Sequence, residues 1–191
     1  FHGTDGPIPV RRRQTGPTPD IQKAFHAACL DEGYGAVEDT NGPNPAGVGV
    51  WPSNNLDGWR MSAAITHLNP MRHRLNLTVR GGVLARKVLI ENKKAVGVEV
   101  ESGGEIFVIE AERVVLSAGA IKSPHLLMLS GIGPTDQLEQ FGIPVIHDLP
   151  GVGQNLMNHL SAQVTFKVKD GLSLFGDVDG VHFGLHYTSD G

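Results

Sequence analysis

The stretch that decides the fold of this chain is Val114–Gly133, with the sequence VVLSAGAIKSPHLLMLSGIG. Arg113–Ser117 is a nearly continuous apolar run, which is typical of a strand buried on both faces of a parallel sheet. A helix is predicted over 123–130, because a serine and a proline stand at its first two positions and favour a helix start. The stretch therefore predicts a strand, a turn and a helix in an α/β fold.

Between this strand and this helix, Ser117–Ala120 contains only very small residues. Small residues at the carboxyl end of a buried strand let a ligand or another backbone approach closely. In open α/β sheets nucleotides bind at that edge, and a helix start can stabilise phosphate charge. On the residues alone two interpretations stay open: a turn beside a nucleotide, or an ordinary strand–turn–helix whose small residues serve packing.

Three further strands are predicted to form an antiparallel meander. Runs rich in aliphatic and β-branched residues cover Val83–Glu91, Ala95–Glu101 and Glu105–Ala111. The short segments between them, 92–94 and 102–104, have the length and the Asn or Gly content of hairpin loops.

Apolar periodicity and helix-start and helix-stop residues predict the remaining elements. The helices are one from Asp20 that ends at Gly33, one over Arg60–Leu68 and one over 134–141; the strands are Leu75–Val79, a short strand near Val145 and Ile146, and 164–169. Residues 35–58 are dense in Gly, Pro and Asn and predict a long irregular segment, typical of a functional loop or lid. The tail 176–191 has no decisive pattern.

The composition argues against several classes of protein. The 191 residues carry a formal net charge of −4, so no large basic surface for nucleic acid is expected. No run of about 18 apolar residues occurs, so no transmembrane segment is predicted, and we expect a cytoplasmic location. Cys29 is the only cysteine, which precludes an intrachain disulfide, and its apolar helical surroundings predict a small buried side chain rather than a nucleophile.

Two pairs of residues have both a functional and an ordinary interpretation. His182 and His186 stand four apart and could share one helical face at metal-ligand spacing, but no Glu or Cys accompanies them, so we expect exposed or packed histidines and no metal site. Trp51 and Trp59 could line a lid on the substrate side, but ordinary packing is the favoured interpretation.

Gly119–Gly133 resembles, position for position, the second signature of the glucose-methanol-choline oxidoreductases. Three other segments resemble family sequences and fall in the family's order: Asp57–Ala64 (DGWRMSAA), Asn76–Val79 (NLTV) and Leu149–Leu156 (LPGVGQNL). The resemblance covers nearly all of the chain. It implies a mixed α/β fold, made of part of a Rossmann-like FAD-binding domain with an antiparallel meander and part of an antiparallel substrate domain.

The resemblance also implies a division of the chain and a function for the parent protein. Residues 1–70 would be a lid and substrate-side segment, 71–158 part of the FAD-binding domain, and 159–191 the start of the substrate-binding sheet. The parent would oxidise a small-molecule alcohol, in the manner of choline dehydrogenases, by passing hydride from a CH–OH group to N5 of the flavin.

The family's cofactor contacts can be carried over to five positions. In relatives the strand after the NLTV segment meets the adenine of FAD through backbone atoms, which implicates Val83 and Ala85 here. The turn of Ser117, Ala118 and Gly119 would lie close to the dinucleotide.

Other family features lead us to expect an internal fragment. The sequence contains no GxGxxG, and the glycines of Gly151-Val152-Gly153 are interpreted as part of a loop. The family's catalytic histidine lies far downstream in relatives, so His159 is not that residue and no catalytic residue is assigned. Asn158 stands where the family usually has aspartate. We expect the isolated chain to bind FAD weakly or not at all and to be inactive.

Two alternatives accompany this prediction. The chain could be a flavin-free binding or structural remnant of the same fold. A nicotinamide-dependent dehydrogenase is disfavoured, because no complete βαβ fingerprint is present. We also expect unpaired strand edges to promote self-association.

Overall fold

The computed structural model describes residues 2–12, 18–167, 169–171 and 182–188. The chain divides into two compact units. Unit 1 consists of Phe1–Leu77 and Val164–Gly191, and unit 2 consists of Thr78–Gln163. Within the described residues, no helix has both the length and the apolar character needed to cross a bilayer.

Unit 1 begins its regular structure with helix α1, Asp20–Asp31. The carbonyl of Pro19 accepts the first backbone hydrogen bonds of this helix, from the N–H groups of Gln22 and Lys23. The helix ends before Gly33, which adopts a φ of 89°, as helix ends often require. This helix agrees with its prediction, and Cys29 is a buried free cysteine on it, as predicted.

A small sheet forms the core of unit 1. Its strands are β1 (Ala36–Val37), β2 (Gly47–Val50) and β10 (Phe183–His186), in the order β1-β2-β10. The first pair is parallel and the second antiparallel. Val48 in the central strand is fully buried, and a Cβ at Gly49 would come within 2.4 Å of the Val37 carbonyl oxygen, so the strands approach too closely for a side chain there. The segment predicted to be irregular therefore contains the central strand of unit 1.

The predicted helix over Arg60–Leu68 is wrong at its start. Strands β3 (Asn55–Leu56) and β4 (Trp59–Arg60) form a hairpin instead. Asp57 and Gly58 form its turn, with φ values of 51° and 82°, and Asp-Gly favours a two-residue turn of this kind. Helical structure begins with a π-helical turn at Ala64–Leu68 and continues through α2, Asn69–Met71, past the predicted end.

A charged cluster holds the N-terminal segment of unit 1 against a loop. The Asp39 carboxylate lies 2.6 Å from Nε2 of His2 and 3.1 Å from the Arg12 guanidinium, and it accepts a hydrogen bond from the Asn41 backbone N–H. Partial burial raises the pKa of Asp39, but the hydrogen bonds from Asn41 and His2 and the Arg12 charge together hold that pKa below its ordinary value of 3.8.

Unit 2 is built on the antiparallel meander. Its strands are β5 (Leu84–Glu91), β6 (Lys94–Ser102) and β7 (Glu105–Glu110), paired in the order β5-β6-β7. The two turns contain Asn92 and Lys93 (φ 48° and 65°) and Gly103 and Gly104 (φ 62° and 84°). Two consecutive residues with positive φ match the right-handed twist of the strands. The three predicted strands and both predicted hairpin loops are confirmed.

The remaining elements of unit 2 follow the meander. They are α3 (Gly119–Leu129), β8 (Ile132–Gly133), α4 (Thr135–Gln140) and β9 (His147–Asp148). Helix α3 packs against β5, and β8 pairs in parallel with β9. The buried apolar side chains of the unit are Val88, Val100, Leu126, Leu138 and Val152. The prediction of α4 is confirmed, and the strand predicted near Val145 and Ile146 lies slightly later in the chain, as β9.

Helix α3 starts four residues earlier than predicted. Ser123 and Pro124 lie inside the helix rather than at its start. The Ser123 hydroxyl still acts near the helix start, because Oγ accepts a hydrogen bond of 3.0 Å from the Ala118 N–H.

Three predicted strands are absent from the described residues. Leu75–Val79, Arg113–Ser117 and 164–167 pair with no other strand there, and Val168 lies outside the described residues. Val115, predicted to be buried, is 84% exposed. An apolar run becomes a strand only where a neighbouring strand accepts and donates its backbone hydrogen bonds, and none of these segments has such a neighbour in the described part of the chain.

We expect Asp39→Asn to lower the stability of unit 1 at neutral pH and to have little effect in acid. A carboxyl whose pKa is lowered by folding contributes stability above its unfolded pKa, and this contribution disappears as the pH falls through the folded pKa. The difference in urea midpoint between wild type and variant should therefore be present at pH 7 and vanish well below pH 3.8, the ordinary value.

Asp5→Asn is the control, because Asp5 is an exposed carboxyl in the same N-terminal segment. Its urea midpoint should follow that of wild type at every pH. A difference for Asp39→Asn that stays constant from neutral pH into acid would contradict the role given to the charge.

Candidate functional site

The predicted cofactor positions lie on two elements of unit 2 that pack together. Ser117, Ala118 and Gly119 form the turn that enters α3, and all three are exposed. Gly119 has a φ of 86°, and a Cβ there would meet no atom within 4 Å. Glycine is therefore needed at this position for its backbone conformation rather than for space within the chain.

The other two positions lie at the beginning of β5. Val83 is half-buried and immediately precedes the strand, while Ala85 is exposed and pairs with Val100 of β6. The register shifts between Ala85 and Lys87, so Arg86 is an extra residue on β5, a β-bulge. Bulges of this kind occur often beside binding sites, because they redirect the strand and its side chains.

The bulge lies in a charge-balanced patch. Nη1 of Arg86 lies 2.6 Å from Glu101 and its Nε 3.4 Å from Glu99, and Nζ of Lys87 lies 3.5 Å from Glu99. These side chains are partly exposed, so each ion pair contributes little stability on its own. The two cations and the two carboxylates of this patch balance one another in charge.

A buried serine joins the two elements. Oγ of Ser130, which is 4% exposed, accepts a 2.8 Å hydrogen bond from the backbone N–H of Val88 in β5. The same hydroxyl donates a 2.6 Å hydrogen bond to the carbonyl of Leu126, one turn back in α3. Sequence reasoning did not single out this residue. A serine four residues after a helical carbonyl is a known pattern for such a bond, but the link to β5 cannot be found from spacing.

The later glycines of the Gly119–Gly133 signature serve packing. A Cβ at Gly131 would come within 2.5 Å of the Pro144 carbonyl oxygen, and a Cβ at Gly133 would lie 3.1 Å from Cγ of Met128. Gly153 also lies against Met128, with 2.5 Å from its would-be Cβ to the Met128 methyl carbon. Residues 151–153 form a turn, as predicted, and with the rest of 151–157 they line a groove along α3.

The two residue pairs with both a functional and an ordinary interpretation lie in unit 1. His186 lies in β10 rather than on a helix, and its ring packs edge-on against Trp51 with centroids 5.1 Å apart. No group of three or more potential metal ligands occurs in the residues that the structure describes. Trp51 is 50% exposed and packs against His186, so the packing interpretation holds for it only in part, and Trp59 is 71% exposed. His159 donates its backbone N–H to the Asn158 side chain and is exposed.

The residue types at the five predicted cofactor positions fit a dinucleotide that is held by backbone atoms of the protein. None of these side chains is charged, four of the five residues are exposed, and the turn at Gly119 leaves open space where a side chain would stand. Exposed backbone N–H and C=O groups with small side chains let a flat base or a pyrophosphate approach closely.

The comparison with protein families identifies the chain. The family model described as GMC oxidoreductase matches residues 1–161. The chain belongs to the glucose-methanol-choline oxidoreductase family. It is 41% identical over 186 residues to the oxygen-dependent choline dehydrogenase of Photobacterium profundum, a match that covers 97% of this chain and 33% of that protein. It is 43% identical over 165 residues to the mitochondrial choline dehydrogenase of Homo sapiens, covering 86% and 27%.

Solved structures agree with this membership. Pyridoxine 4-oxidase from Mesorbium loti superposes with a TM-score of 0.71 and 34% identity, over 78% of this GMC chain and 29% of that one. A formate oxidase superposes with a TM-score of 0.70 and 30% identity, over 82% and 27%. The chain thus spans about a third of the length of the curated relatives it matches.

We expect Gly119→Ala to destabilise unit 2 by about 1–2 kcal/mol, the usual cost of a left-handed conformation for a residue with a Cβ. No clash contributes, because the space around Gly119 is open. Urea unfolding followed by circular dichroism would measure the change.

Gly151→Ala is the matched control, because it also lies in open space in unit 2 but has no positive φ. We expect it to be neutral or to stabilise by up to about 1 kcal/mol. Equal destabilisation by both substitutions would contradict the conformational role of Gly119.

Proposed function

We propose that this chain is part of an FAD-dependent oxidoreductase that acts on the CH–OH group of a small-molecule alcohol. The observation that carries the proposal is the exposed turn of Ser117, Ala118 and Gly119 at the start of α3, on a helix that packs against the edge strand β5. Membership of an oxidoreductase family supports it, as does the choline dehydrogenase activity named for relatives about 40% identical in sequence.

The chain's own residues would bind and orient the dinucleotide. Backbone atoms at Val83 and Ala85 would contact the adenine, and the turn from Ser117 to Gly119 would lie against the rest of the dinucleotide. When bound, FAD supplies a hydride acceptor at N5 of its flavin. The small side chains at these positions would admit the cofactor without steric conflict, because none projects far from the backbone.

The same proposal assigns three segments of the chain to different parts of the parent protein. Residues 71–158 would contribute to the FAD-binding domain, residues 1–70 to a lid and the substrate side, and 159–191 to the substrate-binding sheet. None of the five proposed cofactor positions carries an acidic or basic side chain that could take the alcohol proton. We therefore propose that the isolated chain contributes cofactor contacts but does not turn over an alcohol.

A flavin-free binding or structural remnant is the second candidate. The two candidates differ in one measurable property, which is whether FAD contacts the five positions at all.

A titration of the ¹⁵N-labelled chain with FAD tests the proposal. We expect weak binding, with a dissociation constant on the order of 1 mM, and amide shifts concentrated at Val83, Ala85 and Ser117–Gly119. After desalting, the chain should retain no flavin absorbance and show no bleaching with alcohol.

AMP and riboflavin serve as controls in the same titration. AMP should reproduce the shifts at Val83 and Ala85, because the adenine is the part proposed to lie there, and riboflavin should not. Shifts confined to unit 1, or no shifts at high FAD, would favour the flavin-free remnant. Retained flavin that bleaches with alcohol would contradict the inactivity of the isolated chain.

A further inference from the structure

Ser130 is a buried polar side chain whose contacts join different elements. Its hydroxyl lies between the amide of Val88 and the carbonyl of Leu126, at 2.8 and 2.6 Å. One oxygen thus accepts from the edge strand and donates to the helix, and both functions of the hydroxyl are used. Among the described residues, Thr40 is the other buried polar residue, and it lies in unit 1.

The donor in this hydrogen bond, the backbone N–H of Val88, is a group that strand β6 does not pair with. β5 lies at one edge of the three-stranded sheet, and the Val88 N–H is directed to Ser130 instead of to a neighbouring strand. Val88 is itself buried, so removal of the hydroxyl would leave its N–H without a partner and shielded from water. Such a group is costly to leave unpaired.

The two proposed halves of the cofactor site lie on the elements that this bond joins. Val83 and Ala85 lie at the beginning of β5, three to five residues before Val88. The Ser117–Gly119 turn lies at the other end of α3 from Ser130, which follows the helix directly. An α-helix is stiff and β5 is paired along its length with β6, so a bond at Val88 also sets the position of residues some distance away.

We infer that Ser130 is a positioning residue, which sets the register of β5 against α3 and so aligns the adenine-contacting strand with the small-residue turn. This inference rests on the cofactor contacts proposed above. Ser130 touches neither substrate nor cofactor and acts through Val88 and through helix α3. Its part in the Ser130-Gly131 pair thereby differs from that of Gly131, which packs closely against Pro144 and has a φ of 80°.

The test compares Ser130→Ala with Ser130→Thr and Leu138→Val. The alanine removes the hydroxyl, the threonine keeps it, and Leu138→Val removes one methylene from a fully buried side chain of the same unit without touching the bond. The chemical shift of the Val88 amide proton reports the hydrogen bond directly, whatever the stability of the variant. The initial slope of the FAD-induced shifts at Ala85 and Ala118 reports the affinity.

We expect the affinity to follow the Val88 hydrogen bond and not the overall stability. Ser130→Ala should move the Val88 amide proton upfield and lower the initial slope roughly tenfold, the size that one lost hydrogen bond at a buried group can produce. Leu138→Val should leave the Val88 amide proton shift unchanged and the initial slope within about twofold of wild type, although it destabilises the unit. Ser130→Thr should retain the affinity to the extent that it retains the Val88 shift.

Several outcomes would overturn the inference. One is an unchanged initial slope of the FAD-induced shifts in Ser130→Ala although the Val88 amide proton has moved. Another is an equal reduction of that slope in Leu138→Val, which would indicate a merely structural role. A loss of slope in Ser130→Thr with the Val88 shift intact would overturn it as well.

Failure of the proposed function would be visible separately. If wild type shows no FAD-dependent shifts at the five positions, the cofactor proposal fails, and the ligand-free spectra then decide the positioning role. Movement of the Ala85 and Ala118 amide resonances in Ser130→Ala, but not in Leu138→Val, would support alignment by Ser130. Resonances that stay in place in both variants would overturn it.

Discussion

One buried hydroxyl, that of Ser130 directly after α3, joins helix α3 to strand β5 in the second unit of this chain. The Ser130 oxygen satisfies an edge-strand amide and a helical carbonyl at once, so the meander and the helix keep one relative register. Apolar packing of Leu126 and Val88 supplies the attraction between helix and sheet, but such contacts tolerate sliding. The hydrogen bond is directional, and it therefore fixes the position of β5 along helix α3.

The Gly119–Gly133 signature of the GMC family combines two physical requirements. Gly119 needs a left-handed backbone in open space, whereas Gly131 and Gly133 need the absence of a side chain next to Pro144 and Met128, and Gly131 also has a positive φ of 80°. The part of the signature that faces outward is thus the entry to the helix, and the part that faces inward is the exit. Of the two interpretations left open for Ser117–Ala120, the exposure of these residues and the open space at Gly119 argue against close packing, and contact with a nucleotide is the proposal made above.

The site is weakly charged because its neighbours neutralise one another. The bulge at Arg86 places cationic side chains beside Glu99 and Glu101, and these pairs balance one another in charge. Recognition of a dinucleotide at such a site depends on backbone hydrogen bonds and shape more than on Coulomb attraction.

Local chemistry in the sequence determined the features whose causes lie within a few residues. Helix α1, helix α4, the meander strands and both meander turns follow from caps, periodicity and turn residues, and the family follows from the fifteen residues Gly119–Gly133. The Asp57-Gly58 hairpin carried an equally local signal that was assigned to a helix start instead. Tertiary structure alone decided that Arg113–Ser117 pairs with no strand in the part of the chain that the structure describes, that Gly47–Val50 is a central strand, and that Ser130 reaches Val88, forty-two residues away in sequence. These outcomes depend on which distant segment supplies a hydrogen-bond partner, and neither the composition nor the spacing of a segment specifies its partner.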